Sequence, residues 1–352
     1  MSTDRDLAAR HDLARPLARV LAVAVMVLTL AACGLRAETP PPVEPSPDAL
    51  EQVRARTVAD SLALSAAASA AALLPDGAAE PVAPVLTEVA GYSDQHADQL
   101  GGVYVSGLPT PTDSPTDSPA VTPTTTESVA EVLEQLAAAT RTALADADAV
   151  PDGPLARLIA SVATSRAELT ERLAGATGTP VPELEPDAAP PATDPAPTPA
   201  ETTPTTGVDG LATGDVGVLA LVHDEAGYGF EVIAAKLSGD QRAAARATAA
   251  RHRASSEDWA AAAGIDGSAQ DPRRASYALP AGLDDPAVSS ALARSLETAV
   301  ANAYANAVAQ AEPGGRSARI AGLRRATGDA ATWGATHVPF PGLPERAQQP
   351  TG

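Results

Sequence analysis

The sequence has one cysteine, few aromatic residues and few basic ones. Its 352 residues include 3% aromatics and 24 Lys+Arg against 44 Asp+Glu, which gives a formal net charge of −20. A single cysteine excludes an intramolecular disulfide, a zinc site built of cysteines and an iron–sulfur cluster. The acidic balance argues against binding to nucleic acid, which needs a basic surface. Scarce aromatics and abundant alanine argue against an all-β sandwich and favour helices.

Residues 1–32 are predicted to be a signal peptide. Arginines in the first 19 residues precede an apolar run over 20–32, which covers only about 20 Å as a helix and is short for a permanent membrane span. The run ends in Leu-Ala-Ala-Cys-Gly around Cys33. This motif resembles the lipobox of bacterial lipoproteins, in which cleavage precedes the cysteine and its thiol is acylated.

Cys33 is therefore predicted to carry a lipid that anchors the protein to the outer face of the cell membrane, followed by a proline-rich tether over 33–46. The alternative is an ordinary signal peptide with a cysteine near the cleavage site by chance. That alternative would leave a reactive thiol on an exported surface.

Two segments rich in proline and threonine divide the remaining chain. Segments 109–126 and 179–206 offer little to bury and are predicted to be disordered and solvated. They leave an N-terminal block, 47–178, and a C-terminal block, 207–346, with a tail over 347–352. Each block is long enough for a four-helix core. We therefore predict an all-α protein with two helical bundles.

In the N-terminal block, apolar residues spaced by three and four predict four helices. The first follows Asp48, the second carries apolar residues from Val82 to Val103, the third runs over 127–148, and the fourth ends near Gly175. The long connection between the second and third helices is the arrangement that a ferritin-type bundle needs.

The C-terminal block has the clearest helical period. Its first helix has an unbroken stripe in steps of three and four residues, formed by Val216, Leu219, His223, Ala226, Phe230, Ile233 and Leu237. A second helix is predicted over about 240–263, a third from Pro286 to Ala311, and a fourth that ends near Trp333. An irregular crossover separates the second from the third.

Several short runs in this block occur in a recognisable order. They are ALVHDEAGYGFEVIAAKL, ARHR, YALP, LETAVANAY, ATWG and FPGLPE, between Ala220 and Glu345. This order resembles the ferritin-like domain-of-unknown-function family 4439, which is found in actinobacterial envelope proteins. The resemblance implies a ferritin-like four-helix bundle over about 207–346 with no assigned activity. The N-terminal block has the same helix count, which favours a similar bundle there.

Ferritin-like di-iron proteins combine paired glutamates with Glu-x-x-His motifs on inward helix faces. None of the histidines has a glutamate three residues before it. Glu225 and Glu297 are the candidate glutamates, but Glu225 lies about 200° around the helix from His223, and Glu297 about 60° from the predicted core face. The sequence therefore assigns no metal ligands, and iron or manganese stays an alternative cofactor.

His223 and His252 each fall on an apolar stripe of neighbouring helices. We predict a buried hydrogen-bonded pair that fixes helix register, in contact with Glu297 or Tyr304, because buried polar groups need partners. His96 is predicted to be a satisfied core histidine. The two tryptophans are predicted to fill the core, and the arginines to form surface ion pairs.

These features favour a non-catalytic envelope lipoprotein with a binding or scaffold role. The predicted partners are the membrane, through the lipid, and another envelope protein, with no role for nucleic acid. No cysteine nucleophile, phosphate-binding loop or nucleophile elbow supports an enzyme. The alternative is a metal-binding or di-metal oxidoreductase bundle that uses His223, His252 and Glu297. Recognition of a small apolar ligand between the helices is a third class.

The anchor generates the first testable prediction. Cys33→Ala is expected to move the protein out of the membrane fraction, because the acylated thiol is lost. Immunoblotting of membrane and soluble fractions measures the change. A variant that still fractionates wholly with membranes would show that the lipid is not the anchor.

Overall fold

The computed structural model describes residues 46–105, 128–185, 207–208 and 211–346. The helices of these described residues all belong to one compact unit. The predicted signal peptide and Cys33 lie outside the described residues, as do segment 109–126, most of 179–206 and the tail 347–352. None of the described helices is both long and apolar enough to span a bilayer.

The all-α prediction is confirmed, with one short hairpin added. The helices of the described residues are α1 Ala49–Ala71, α2 Val82–Gln99, α3 Val129–Ala149, α4 Gly153–Thr177, α5 Thr213–Lys236, α6 Gly239–Ala262, α7 Pro286–Gln310 and α8 Ser317–Thr332. An antiparallel hairpin of two-residue strands, β1 Gly207–Val208 and β2 Leu211–Ala212, precedes α5.

Local signals explain where the helices begin and end. The Ser128 side chain accepts from the backbone N–H of Glu131, whose carboxylate accepts from the Ser128 backbone N–H, so α3 starts with a capping box. Asp152 caps α4, which ends at Gly178 in the left-handed conformation. The prediction that Val103 belongs to the second helix is wrong. The helix ends at Gln99, and Val103 is 68% exposed.

The predicted helix stripe of the C-terminal block is confirmed. Six of its seven residues are buried, and Leu237, which lies just past the end of α5, is half-buried. Helix α5 packs against α6 and α7, and α7 packs against α8. In the N-terminal block, α1 packs against α2, and α3 packs against α4. Both blocks are therefore bundles of four helices.

Helix α4 connects the two blocks. It packs against α2 and α3 on one side and against α7 and α8 on the other. Its residues from Ala156 to Ala167 are buried except Arg157, which is half-buried. Thr164 and Thr170 donate their hydroxyls to carbonyls four residues earlier, at 2.8 Å, so they add no unsatisfied group. One hydrophobic core therefore extends through both blocks, and the division into two bundles as separate domains stays a prediction.

One residue at the start of the predicted linker 179–206 is buried. Leu184 packs against Ala137 and Ala167, and the Glu183 carbonyl accepts from Arg141 at 2.7 Å. Composition does not reveal this contact, because a single leucine in a proline-rich segment is enough to fill a gap between helices. The prediction of a solvated segment is therefore wrong for Leu184, whereas most other residues of 179–185 are exposed, and 186–206 lie outside the described residues.

The segment after α8 docks between the blocks. Phe340 and Leu343 are buried, and the Ser161 hydroxyl donates to the Pro341 carbonyl at 2.7 Å. His96, fully buried, bonds through Nε2 to the Pro339 carbonyl at 2.7 Å. Gly342 has φ +77°, and a Cβ there would lie 2.7 Å from that of Ala305, so the close approach needs glycine. This proline-rich segment after α8 is thus part of the core.

Three arginines are buried, so the prediction that the arginines form surface ion pairs is wrong for them. Arg166, Arg316 and Arg319 are each at most 1% exposed. Arg166 donates to the Thr57 and Ala139 carbonyls and to the Ser61 hydroxyl, and burial lowers its pKa to about 10. Guanidinium groups have five donors, so one arginine can link several helices through their carbonyls. Arginine composition alone does not reveal such positions.

Candidate functional site

The structure brings together three of the four residues singled out from the sequence. His223 on α5 and His252 on α6 face each other, with their Nδ1 atoms 2.9 Å apart. On α7, Tyr304 Oη lies 2.9 Å from His223 Nε2 and Glu297 Oε1 lies 3.1 Å from His252 Nε2. All four side chains are at most 8% exposed. The side chains therefore form one buried hydrogen-bonded chain across three helices.

The hydrogen-bonded chain extends one step further, to the indole of Trp259. Trp259 Nε1 can only donate, and it lies 3.3 Å from Tyr304 Oη. Each imidazole nitrogen of His223 and His252 has one partner in this chain, and the tautomers of the two rings set which partner donates in each bond.

The surroundings of His223 keep its imidazole neutral. Burial, and next the proximity of His252, lower the pKa of His223 to about 3. The Tyr304 pKa is raised above its ordinary value, chiefly by burial, so the phenol keeps its proton. Desolvation favours the uncharged forms of His223 and Tyr304.

Glu225 is not part of this cluster. It is half-buried and lies toward the crossover, where its charge contributes to the raised pKa of Tyr277. The neighbouring Asp224, which the sequence reasoning missed, is the structurally important acid. It is 6% exposed and accepts from the Tyr277 hydroxyl at 2.5 Å, from the Arg274 backbone N–H at 3.2 Å, and from Arg253. Asp224 thus holds the crossover against α5 and α6.

Glu297 is more deeply buried than its position on the helix predicts. The 60° offset placed it at the edge of the core face, yet the residue is fully buried. Helix α7 packs against α4, α5 and α8 together, so its buried arc is wider than a single stripe. Its Oε2 atom has no hydrogen-bond partner among the described residues.

A cavity of about 170 Å³ opens beside the chain, between α6, α7 and α8. His252, Glu297 and Tyr304 form part of its wall, and Arg251 and Arg325 also line it. Gly322 on α8 lies against the Tyr304 ring, where a Cβ would come 2.4 Å from Cε1. The absence of a side chain at this position lets α8 close over Tyr304.

These residues do not fit a di-metal centre. The two histidines turn their Nδ1 atoms toward each other, and their Nε2 atoms face Tyr304 and Glu297. Glu225 lies near Tyr277 instead. Within the described ranges, no group of three or more histidine, cysteine or acidic side chains is placed to hold a metal ion. Apart from Glu297 Oε2, the donor atoms of these three residues are hydrogen-bonded to one another or to Tyr304.

Residues 219–345 match the sequence model of DUF4439, a domain of unknown function. The DUF4439 segment runs from within α5 to the segment that docks after α8. It therefore contains all the residues of the hydrogen-bonded chain and of the cavity. It confirms the family resemblance of the C-terminal block. No curated protein and no solved structure matches the chain.

The buried histidines predict how stability depends on pH. His223 in the DUF4439 segment and His96 in α2 both have pKa values lowered to about 3, for His96 by burial and then by the charge of Arg166. Unfolding returns them to about 6.5, so the unfolded state binds more protons below that pH. Stability is therefore full above about 6.5 and falls toward pH 3. The loss is about 2 kcal/mol for each histidine at pH 5.

Urea denaturation between pH 7 and pH 4.5 measures this slope. His96→Gln and His223→Gln should each have a shallower slope than the unsubstituted protein, whatever their absolute stability. Slopes that stay the same in both variants would mean that the two rings are not held neutral.

Proposed function

We propose that the protein is a lipid-anchored envelope protein with a non-catalytic binding or scaffold role. Its C-terminal block is a ferritin-like bundle whose interior polar groups serve structure. The observation that carries this proposal is the hydrogen-bonded chain from Trp259 through Tyr304, His223 and His252 to Glu297. Each imidazole nitrogen of His223 and His252 has a partner inside the protein, so the two histidines join α5, α6 and α7 to one another.

The helix arrangement supports the ferritin-like assignment. Helices α5 and α6 form one closely packed pair and α7 and α8 another. A long connection, residues 263–285, lies between the pairs. Ferritin-like bundles have such a long crossover connection. The DUF4439 match over the same helices is consistent with this architecture.

The lipobox-like sequence around Cys33 and the proline-rich tether support presentation of the helices outside the cell membrane. The partner that we propose is another envelope protein, with the membrane contacted through the lipid. The net charge of −20 disfavours nucleic acid as a ligand.

One lysine makes the orientation testable. Lys236 is the only lysine of the chain, its side chain is 38% exposed, and it pairs with Asp284 at 2.9 Å. A membrane-impermeant, amine-reactive crosslinker applied to intact cells should modify Lys236 and join it to a reproducible envelope protein. Lys236→Arg keeps the charge but not the reactive amine, and serves as the matched control. Modification at Lys236 only after lysis, or no reproducible crosslinked partner, would contradict the proposal.

A metal-binding or di-metal oxidoreductase function is the second candidate. The free Oε2 of Glu297, whose other oxygen bonds to His252, is the observation in its favour. Elemental analysis of protein purified without chelators separates the two candidates. We expect iron and manganese well below one equivalent, at the same level in His252→Ala. A near-stoichiometric metal that is lost in His252→Ala would replace our proposal with the second one.

A further inference from the structure

Large apolar side chains are exposed mainly in the N-terminal block. Six of the eight such side chains among the described residues belong to it, namely Leu50, Leu62, Leu73, Val103, Tyr104 and Val105. Single exposed apolar residues are normal on a protein surface, whereas a group of them marks an interaction site. The consecutive residues Val103, Tyr104 and Val105, which are 68%, 62% and 82% exposed, form such a group.

These three residues lie at the end of the block where α1 begins. Arg54, in the second turn of α1, donates from Nη1 to the Leu100 carbonyl at 2.6 Å and to the Gly102 carbonyl at 2.9 Å. These bonds hold the chain that leaves α2 beside the start of α1, where Leu50 is 37% exposed. We call Leu50 and residues 103–105 the apolar end patch.

The chain around the patch has little charge to keep it in water. No charged residue occurs between Asp98 and Asp113, although 19% of the whole chain is charged. The charge of Arg54 is balanced by Glu51, 2.6 Å away in the same turn of α1. Apolar surface without unpaired charges can leave water at low cost, whereas a charged group cannot.

The position of the patch relative to Cys33 decides what covers it. The helix α1 starts at Ala49, sixteen residues after Cys33. At a maximum of ~3.6 Å per residue, a lipid on Cys33 lies within ~60 Å of that helix start. A flexible connection of this length keeps the two surfaces at an effective concentration on the order of millimolar, so a weak affinity is sufficient. The surface within reach is the bilayer itself.

We propose that the apolar end patch lies in the headgroup region of the bilayer that holds the lipid anchor. Tyr104 suits this position, because tyrosine has an apolar ring and a polar hydroxyl and is enriched at membrane interfaces. The inference rests on the proposed lipid anchor and adds an orientation to it. The start of α1 faces the membrane, and Leu73, just beyond the far end of this ~35 Å helix, faces water.

Quenching of tryptophan fluorescence by brominated lipids tests the orientation. The full-length protein is purified with its lipid and inserted into phosphatidylcholine vesicles, with or without bromine on the acyl chains near the headgroup. The unsubstituted protein gives the background of Trp259 and Trp333. Because an interfacial group lies about 5–10 Å into the headgroup–acyl boundary, the fluorescence added by Tyr104→Trp should fall by about half or more with bromine. The fluorescence added by Leu73→Trp should not change.

Charged substitutions locate the contact. In the Tyr104→Trp protein, the pair Val103→Asp and Val105→Asp should abolish the quenching, because a carboxylate resists transfer out of water. Both positions are exposed, so the fold is not at risk. Val181→Asp, at a position that is 50% exposed outside the patch, is the matched control and should leave the quenching unchanged.

Flotation of the vesicles in a density gradient separates the two levels of the argument. Protein that does not float with the vesicles would contradict the lipid anchor and this inference with it. Protein that floats without quenching of the Tyr104→Trp fluorescence would overturn the inference alone, as expected if the patch binds another protein. Equal quenching with Leu73→Trp, or quenching that survives the two aspartates, would overturn it as well.

Discussion

The burial of α4 on both of its sides is the constraint on which the rest of the structure depends. A helix with neighbours on two sides has little room for a polar face, and α4 meets this condition with alanine, serine or threonine at nine of its fifteen buried positions. Small side chains let helices approach closely, and the hydroxyls of Thr164 and Thr170 return to the backbone of their own helix. The shared core of the two blocks and the groove that receives Phe340 both follow from this helix.

Alanine-rich helices leave register weakly specified, since one alanine face resembles another. Directional bonds between buried polar groups supply what apolar packing lacks. In the C-terminal block, the chain from Tyr304 to Glu297 fixes α5, α6 and α7 relative to one another. In the N-terminal block, Arg166 does the same for α1, α3 and α4. Both devices require particular protonation states, so the same groups that define the fold also make its stability dependent on pH.

The sequence predicted most of the helical framework and part of the site. The stripe through His223 and Phe230 was correct because a regular period of three and four residues survives packing. Glu297 was misplaced because a helical period indicates one face, whereas α7 has neighbours on several. Arg166, Leu184 and Asp224 were missed for a related reason: their environments come from helices distant in the chain, and no local pattern contains that information. The meeting of His223 with His252 was foreseeable since both lie midway along adjacent helices.

The geometry of the polar chain also explains why its two ends differ in chemistry. The chain begins at the indole N–H of Trp259, which can only donate, and it ends at a carboxyl group, which has two oxygens. Only one of these oxygens meets an imidazole nitrogen, so Glu297 Oε2 is left without a hydrogen-bond partner among the described residues. The chain therefore joins α5, α6 and α7 with one polar atom left over, because a carboxyl group offers more hydrogen-bonding positions than the two rings fill.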